Sequence, residues 1–208
     1  MVFIDTHSHI FLKDFDADRD EAIIRAKEAG VKHIVLPNID SGSIESLINA
    51  SDRYKDFCFP LMGLHPTSVK NDFEKELSII EESFQDYNFI GVGEIGIDLY
   101  WDKTYIEEQK IVFRYQLQLA KKLELPVVIH TRNAFDEIFD IVAQENSPTL
   151  RGVFHSFSGS YEQYRQICDF NNFYVGIGGV VTYKNSGVDE VVKKMDIDKI
   201  VLETDSPY

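Results

Sequence analysis

Eight short apolar segments alternate with amphipathic segments along the chain, and this alternation constrains the fold more than any other feature of the sequence. Most of the apolar segments are continuous rather than alternating, which is typical of parallel strands covered on both faces. The predicted strands are residues 2–7, 33–37, 57–64, 89–97, 126–130, 152–157, 173–180 and 200–205. The predicted helices are residues 18–30, 43–54, 72–86, 104–123, 133–145, a segment starting at 160, and 188–195.

Three helix starts have recognisable capping patterns. Asp18 stands three residues before Glu21, as an N-cap would, and Gly30 is placed to end that helix. Thr104 and Ser160 are each followed three residues later by a Glu or Gln, the pattern of a capping box. These patterns predict helices between the strands.

The regular β/α alternation predicts a single α/β domain over residues 1–208, built as a (β/α)8 TIM barrel with eight parallel strands. The rival is an open doubly wound sheet, which often has a glycine-rich turn after its first strand. Here the first strand ends in His-Ser-His instead. The sequence stops three residues after Asp205, so we expect a C-terminally truncated barrel without its final helix.

Charge and cysteine content narrow the possible functions. Lys and Arg total 21 against 35 Asp and Glu, a formal charge of −14, which argues against unaided binding of nucleic acid. Bound cations would create a positive centre where a phosphate could still bind. Cys58 and Cys168 are predicted to be buried free thiols, which suits a reducing cytoplasm. No signal-like segment or long apolar run is present, so we predict a cytoplasmic protein without membrane contact.

The first predicted strand ends in polar residues that could bind metal. His7 and His9 are two residues apart, so in extended chain their imidazoles point the same way and could converge on one ion. Asp5 lies on the same face and could orient a ligand, or it could be a solvated turn residue.

Four further strands carry ionisable groups at the ends where barrel enzymes place their catalytic residues. Glu94 lies in an apolar, glycine-rich strand, where a carboxylate is costly unless it forms an ion pair or binds metal, and its two oxygens could bridge two ions. His130, His155 and Asp205 end the fifth, sixth and eighth strands. Each alone could be a satisfied structural residue, but together they predict a site for two divalent ions (Zn, Mn or Mg). Two such ions would clamp a hydroxide and a scissile ester oxygen, with Asp205 and Glu94 as catalytic groups.

Other residues near these strand ends have more than one possible role. His65 ends the third strand and could act catalytically or contact substrate. Asp98 could support a ligand, face substrate or be structural, and Arg132 could bind an anionic group or form a surface salt bridge. Tyr100 and Trp101 could stack on a base or pack against a loop. No Gly-x-Ser-x-Gly, P-loop or Cys-x-x-Cys motif suggests a competing chemistry.

The motifs resemble those of the TatD family of metal-dependent deoxyribonucleases, within the amidohydrolase-like barrels. The matching segments are DTHSH (5–9), GLHP (63–66), GEIGID (93–98), PVVIH (126–130), FHSFSG (154–159) and ETDSP (203–207). The resemblance implies one ion bound by His7, His9, Glu94 and Asp205 and a second bound by Glu94, His130 and His155. It also implies 3′–5′ exonucleolytic hydrolysis of DNA.

Two departures and two alternatives accompany this resemblance. Leu99 stands where a tyrosine is common, and Asn133 where an aspartate is common. The same metals could serve an ester hydrolase, such as a D-aminoacyl-tRNA deacylase. A truncated barrel could instead bind metal without activity and self-associate through the surface left by the absent helix.

Overall fold

The computed structural model describes all residues from 1 to 208. Its strands are β1 (Phe3–Asp5), β2 (Val31–Pro37), β3 (Cys58–Leu61), β4 (Val92–Asp98), β5 (Val127–Arg132), β6 (Gly152–Phe154), β7 (Phe173–Ile177) and β8 (Ile200–Leu202). Its α-helices are α1 (Arg19–Glu28), α2 (Ile44–Arg53), α3 (Phe73–Asp86), α4 (Ile106–Leu123), α5 (Phe135–Glu145), α6 (Tyr161–Asp169) and α7 (Val188–Val192).

All strands pair in parallel and in chain order. They form one sheet of β1–β2–β3 and one of β4 to β8. Backbone hydrogen bonds also link the two sheets at both ends: Gly93 N donates to Met62 O (3.1 Å), and Asp205 N donates to His7 O (2.8 Å). The predicted eight-stranded parallel (β/α)8 barrel is therefore confirmed.

The strands of the barrel are mostly shorter than their apolar segments. The third strand ends at Leu61 rather than residue 64, and the eighth at Leu202 rather than residue 205. The eighth strand leaves the hydrogen-bonded ladder just before the polar residues Glu203, Thr204 and Asp205, and the third leaves it three residues before His65. The segments that follow become short loops at the carboxyl ends of the strands, which frees their side chains to converge.

Two hydrophobic clusters hold the barrel and its helices together. One is centred on β4 to β7 and includes Phe113 of α4 and Phe154 of β6, both at most 1% exposed. The other joins β2 and β3 to α1, α2 and α3, with Leu36 and Leu47 fully buried. Burying such a side chain contributes about 1.5–3 kcal/mol, so the strands are fixed firmly enough to position the groups at their ends.

Two of the three predicted helix caps differ from expectation. The capping box of α6 is confirmed, with Gln163 N bonded to Ser160 Oγ (3.3 Å) and Ser160 N to Gln163 Oε1 (2.8 Å). The box predicted at Thr104 is wrong: α4 begins two residues later without a side-chain cap, and the Thr104 N–H bonds Asp102 instead. Asp18 does occupy the N-cap of α1, but its carboxylate accepts from an arginine rather than from the helix backbone.

Both cysteines are free thiols, as predicted. Cys58 is buried in β3, and burial raises its pKa to about 12. The prediction of burial is wrong for Cys168, which is only partly buried because it lies near the end of α6. Among the helices, none combines the length and the apolar character needed to cross a membrane.

Candidate metal centre

A cavity of about 290 Å³ opens at the carboxyl ends of the strands. Its lining is mainly polar and includes most of the residues singled out from the sequence. They are His9, His65, Glu94, Asp98, Trp101, His130, Arg132, His155 and Asp205, together with Ile39, Thr67 and Tyr208. His7 lies beneath this lining and is fully buried.

Glu94 lies at the centre of the cluster, and one of its oxygens faces the histidines that follow β1. Glu94 Oε2 is 3.1 Å from His7 Nε2 and 3.5 Å from His9 Nε2. The two imidazole nitrogens are 3.1 Å apart, and Asp205 Oδ1 lies 3.7 Å from each. These four side chains therefore surround one common point.

The other oxygen of Glu94 faces a second group of histidines. Glu94 Oε1 is 2.8 Å from His130 Nδ1, 3.6 Å from His155 Nε2 and 3.4 Å from His65 Nε2. His65 Nε2 also lies 3.3 Å from His130 Nδ1, while its own Nδ1 accepts from the Thr67 backbone N–H (3.2 Å). His65 is therefore as close to Glu94 as the histidines proposed to bind metal.

A glycine in β4 allows the strand to approach its neighbour this closely. Gly96 has φ +145°, and a Cβ there would lie 2.0 Å from the backbone oxygen of His130. Any larger residue would push β4 away from β5 and separate Glu94 from the His130 ring. Gly96 therefore keeps β4 and β5 close enough together for Glu94 to contact His130.

Asp98 holds the far side of the His130 ring. Its Oδ2 lies 2.9 Å from His130 Nε2, and its Oδ1 accepts from the backbone N–H groups of Tyr100 (2.9 Å) and Trp101 (3.0 Å). Burial opposes ionisation of Asp98, but the bond to His130 and the backbone bonds from Trp101 and Tyr100 together outweigh it and lower the Asp98 pKa to about 2. Both oxygens of Asp98 are engaged and only 1% of the residue is exposed, so Asp98 can orient His130 from the wall of the cavity.

Glu203 faces the far side of the His155 ring at ion-pair distance, without the hydrogen bond that Asp98 makes to His130. Its Oε1 lies 3.2 Å from His155 Nδ1 and accepts from the Ser156 backbone N–H (2.5 Å). A Cβ on Gly176 would lie 2.1 Å from Glu203 Oε2, so the glycine leaves room for this carboxylate. Sequence reasoning missed Glu203, although the signal used for Glu94, a carboxylate next to an apolar strand, was also present here.

Asp5 supports the site through the backbone. It is buried, its Oδ1 accepts from the N–H groups of His7 (3.3 Å) and Thr204 (2.9 Å), and its Oδ2 accepts from the Thr204 hydroxyl (2.7 Å). Asp5 therefore ties the segment after β1 to the segment after β8. It does not touch an imidazole nitrogen, and the Nδ1 atoms of His7 and His9 have no hydrogen-bond partner.

The spacing of these donors fits a metal ion. A tetrahedral zinc site with bonds of about 2.0–2.1 Å places its donors about 3.3 Å apart. In two groups of three residues around Glu94, His7–His9–Glu94 and His65–Glu94–His130, the nitrogen and oxygen atoms lie 2.8–3.5 Å from one another. Buried imidazoles and carboxylates are also the donor set that divalent transition metals prefer.

Burial and mutual charge decide the protonation of this cluster in the absence of metal. Burial opposes ionisation of Glu94, but the neighbouring histidines, His7 first, hold its pKa well below the usual range. Burial also lowers the pKa of His7 well below its usual value. For His155, burial acts in the same direction, but Glu94 and Glu203 outweigh it and raise the pKa to about 9.

Asp205 and His65 border the cavity, and burial is the main cause of the pKa shift of each. Burial raises the pKa of Asp205, whose side chain is still 27% exposed and therefore reachable from the cavity. Burial lowers the pKa of His65, so its imidazole tends to be neutral. Arg132 lies at the cavity rim with its guanidinium over the Tyr100 ring (4.1 Å to the centroid) and near the Trp101 ring (5.3 Å).

A parallel (β/α)8 barrel with clustered histidines and carboxylates at the carboxyl ends of its strands is the arrangement of a metal-dependent hydrolase. Comparison with known proteins agrees with this class. The model of the family described as TatD related DNase matches residues 4–208. The chain therefore belongs to this family.

Individual relatives cover between 93% and all of the chain. The metal-dependent hydrolase YabD of Bacillus subtilis is 36% identical over 208 residues, which are all of this chain and 81% of that protein. The crystal structure of YjjV, a TatD homologue from Escherichia coli, superposes with a TM-score of 0.90 at 31% identity, covering 99% of this chain and 79% of that one. The 3′-5′ ssDNA/RNA exonuclease TatD of Erwinia billingiae is 28% identical over 93% of this chain and 75% of its own length.

Proposed function

We propose that this barrel, residues 1–208 as one domain, is a two-metal exonuclease that hydrolyses the phosphodiester bonds of single-stranded DNA from the 3′ end. The supporting observation is the position of Glu94, whose two oxygens face two separate groups of imidazoles. One ion would be held by His7, His9, Glu94 and Asp205. The second would be held by Glu94, His130 and His155, with His65 close enough to join them.

When bound, the two ions would supply Lewis acidity and lower the pKa of water toward neutrality. The protein side chains then have separate tasks. Asp205 reaches the cavity and, because burial raises its pKa, it is suited to hold a proton as a general base. His65 is neutral at the opposite wall and can donate to, or accept from, a group on the substrate.

The choice of DNA rests on the family and on the exonuclease from Erwinia. The size of the cavity is compatible with it. A volume of about 290 Å³ lies near the lower limit of known ligand pockets, which suits one nucleotide at a time better than a duplex.

Replacing Glu94 tests the proposal most directly. We expect the purified protein to hold up to two ions and Glu94→Ala to hold at least one fewer, because the shared ligand is lost. Cleavage of single-stranded DNA should fall by more than about 100-fold, since removing groups that merely orient metal ligands already costs about 10- to 100-fold. Metal analysis and an oligonucleotide assay measure the two effects, with the exposed Glu82→Ala as the control.

The same assay separates the alternatives. Wild-type protein would be offered single-stranded DNA, RNA and a carboxyl ester of an aminoacyl group. Turnover of the ester without cleavage of DNA would contradict the nuclease proposal and favour a deacylase. Full metal occupancy without turnover of any of the three would show that this chain binds metal but is inactive.

A further inference from the structure

Two aromatic side chains lie exposed at the rim of the metal cavity. Tyr100 is 55% exposed and Trp101 is 67% exposed. Trp101 lines the cavity itself, together with Arg132 and the ligand candidate His130. An exposed indole at the rim of a ligand cavity can gain a large buried area when a ligand packs against it.

The position of this aromatic pair is fixed by the metal centre. Asp98 Oδ1 accepts from the N–H groups of both Tyr100 and Trp101, while Asp98 Oδ2 contacts His130 Nε2. One buried carboxylate therefore links the Trp101 backbone to the proposed metal ligand His130. The two aromatic rings stand nearly perpendicular, at 87°, with centroids 4.9 Å apart, and 67% of Trp101 remains exposed and open to a ligand.

Arg132 adds the complementary charge. Ion pairs are made by Arg19, Arg25, Arg53 and Arg114, but not by Arg132. The Arg132 guanidinium instead lies over the aromatic pair, on a protein whose net charge is −14. An arginine without a carboxylate partner at the rim of a cavity keeps its donors available for an anionic group such as a phosphate.

We propose that Trp101 is a stacking platform for an unpaired nucleobase of the substrate and that Arg132 contacts a phosphate next to that base. The inference rests on the proposed nuclease function and specifies how that function selects single strands. Base–aromatic stacking is strong and tolerant of sequence, but a base inside a duplex is already stacked and cannot reach the indole. Asp98 then holds the stacked nucleotide in register with the His130 side of the metal centre.

Trp101 is the only tryptophan of the chain, so its fluorescence reports on this site alone. The protein, kept free of metal by a chelator to prevent cleavage, would be titrated with oligothymidylate, with oligouridylate, and with an abasic oligomer of the same length. We expect both base-bearing oligomers to quench the fluorescence at saturation and the abasic one to leave it unchanged. Equal quenching by the abasic oligomer would overturn the proposal.

Kinetics on the metal-loaded protein give a second readout. Trp101→Leu should lower kcat/KM for oligothymidylate by about 5- to 100-fold, the range expected for loss of one stacked base, while Trp101→Phe retains most of it. An oligomer with abasic 3′-terminal positions should be cleaved equally by wild type and Trp101→Leu. Tyr87→Leu is the matched control, because Tyr87 is 44% exposed and lies before β4, at the other end of the strands.

The same substrates distinguish the role of Arg132 from that of Trp101. Arg132→Gln should weaken cleavage of the base-bearing and the abasic oligomers by the same factor, because the phosphate is present in both. It should also reduce the salt dependence of binding. A loss confined to the base-bearing oligomer would refute the phosphate contact.

These results are distinguishable from failure of the proposed function. Cleavage of all oligomers without any preference for bases would refute the stacking platform and leave the nuclease intact. Base-dependent quenching in the metal-free protein, without cleavage of any oligomer by the metal-loaded protein, would refute the nuclease proposal and leave the stacking platform intact.

Discussion

The two halves of the candidate metal centre are supported in different ways. In the half after β1, the backbone N–H of His7 donates to Asp5 Oδ1 and that of His9 donates to Ser206 O, and no carboxylate pairs with their Nδ1 atoms. In the half formed by β5 and β6, a carboxylate faces the second ring nitrogen of each histidine: Asp98 is hydrogen-bonded to His130 at 2.9 Å, whereas Glu203 lies 3.2 Å from His155, at ion-pair distance but without hydrogen-bond geometry.

This difference has electrostatic consequences. Burial dominates in the β1 half and lowers the pKa of His7. In the other half the carboxylates outweigh burial and raise the pKa of both His130 and His155. Carboxylate–histidine pairs of this kind set ring orientation and raise the basicity of a metal ligand. The comparison therefore predicts that the β5–β6 half is the more sensitive to changes in residues that do not themselves bind metal.

The largest effect should come from Asp98→Asn, because Asp98 serves both His130 and the loop of Trp101. We expect metal affinity to fall by about 10- to 100-fold, with an additional loss of base-dependent binding. A competition titration with a coloured chelator measures the affinity. Asp102→Asn is the control, since Asp102 lies on the same loop but is exposed. Equal affinity in both variants would remove the proposed role of Asp98.

Glu203→Gln should have the next largest effect. The amide keeps an oxygen for the Ser156 N–H but loses the charge that faces His155, so we expect a loss of about 10- to 100-fold in metal affinity. The exposed Glu190→Gln, on α7, is the control. An unchanged metal affinity in Glu203→Gln would mean that the β5–β6 half is no more sensitive than the β1 half to changes in residues that do not themselves bind metal.

Gly176→Ala tests the same carboxylate through its packing. A methyl group there would meet Glu203 Oε2 at 2.1 Å and push the side chain away from His155, whereas Gly179 has open space around it. We expect about a 10-fold loss of metal affinity for Gly176→Ala and no change for Gly179→Ala. If Glu203 adjusts without leaving the His155 ring, the two alanine variants will behave alike.

Metal binding should release protons from the β5–β6 half. Because the pKa of His155 is raised to about 9, its ring carries a proton in the metal-free protein below that pH and must lose it to bind an ion. We expect release of about one proton from His155 near pH 7.5, disappearing as the pH rises through 9. Calorimetry in buffers of different ionisation enthalpy measures this number, and Glu203→Gln should reduce it.

The smallest effect on the metal is expected for Asp5→Asn, in the β1 half. Asp5 supports the backbone of His7 and Thr204 rather than an imidazole. We therefore expect metal affinity to change by less than about 10-fold, while the free energy of unfolding falls by about 1–3 kcal/mol because a buried hydrogen-bonding group is disturbed. A large loss of metal with unchanged thermal stability would contradict this assignment.

Many features of the barrel could be predicted from local sequence. Continuous apolar segments identified all eight strands, and polar residues just past them identified the groups that the structure brings around Glu94. The helix start at Thr104 could not be predicted, because the Thr104 N–H bonds Asp102 rather than a side chain of α4. Asp98 and Glu203 were ambiguous or missed because their partners lie 32 and 48 residues away in the chain.

The sequence by itself determined the number and direction of the strands and placed ionisable residues at their ends, because strand periodicity and the cost of burying charge act locally. Only the tertiary structure decided which ring nitrogen each carboxylate contacts, how close His65 comes to Glu94, and that Arg132 lies over Tyr100. Those contacts depend on the spacing between neighbouring strands and on the volume left by Gly96 and Gly176, which no single segment of the chain encodes.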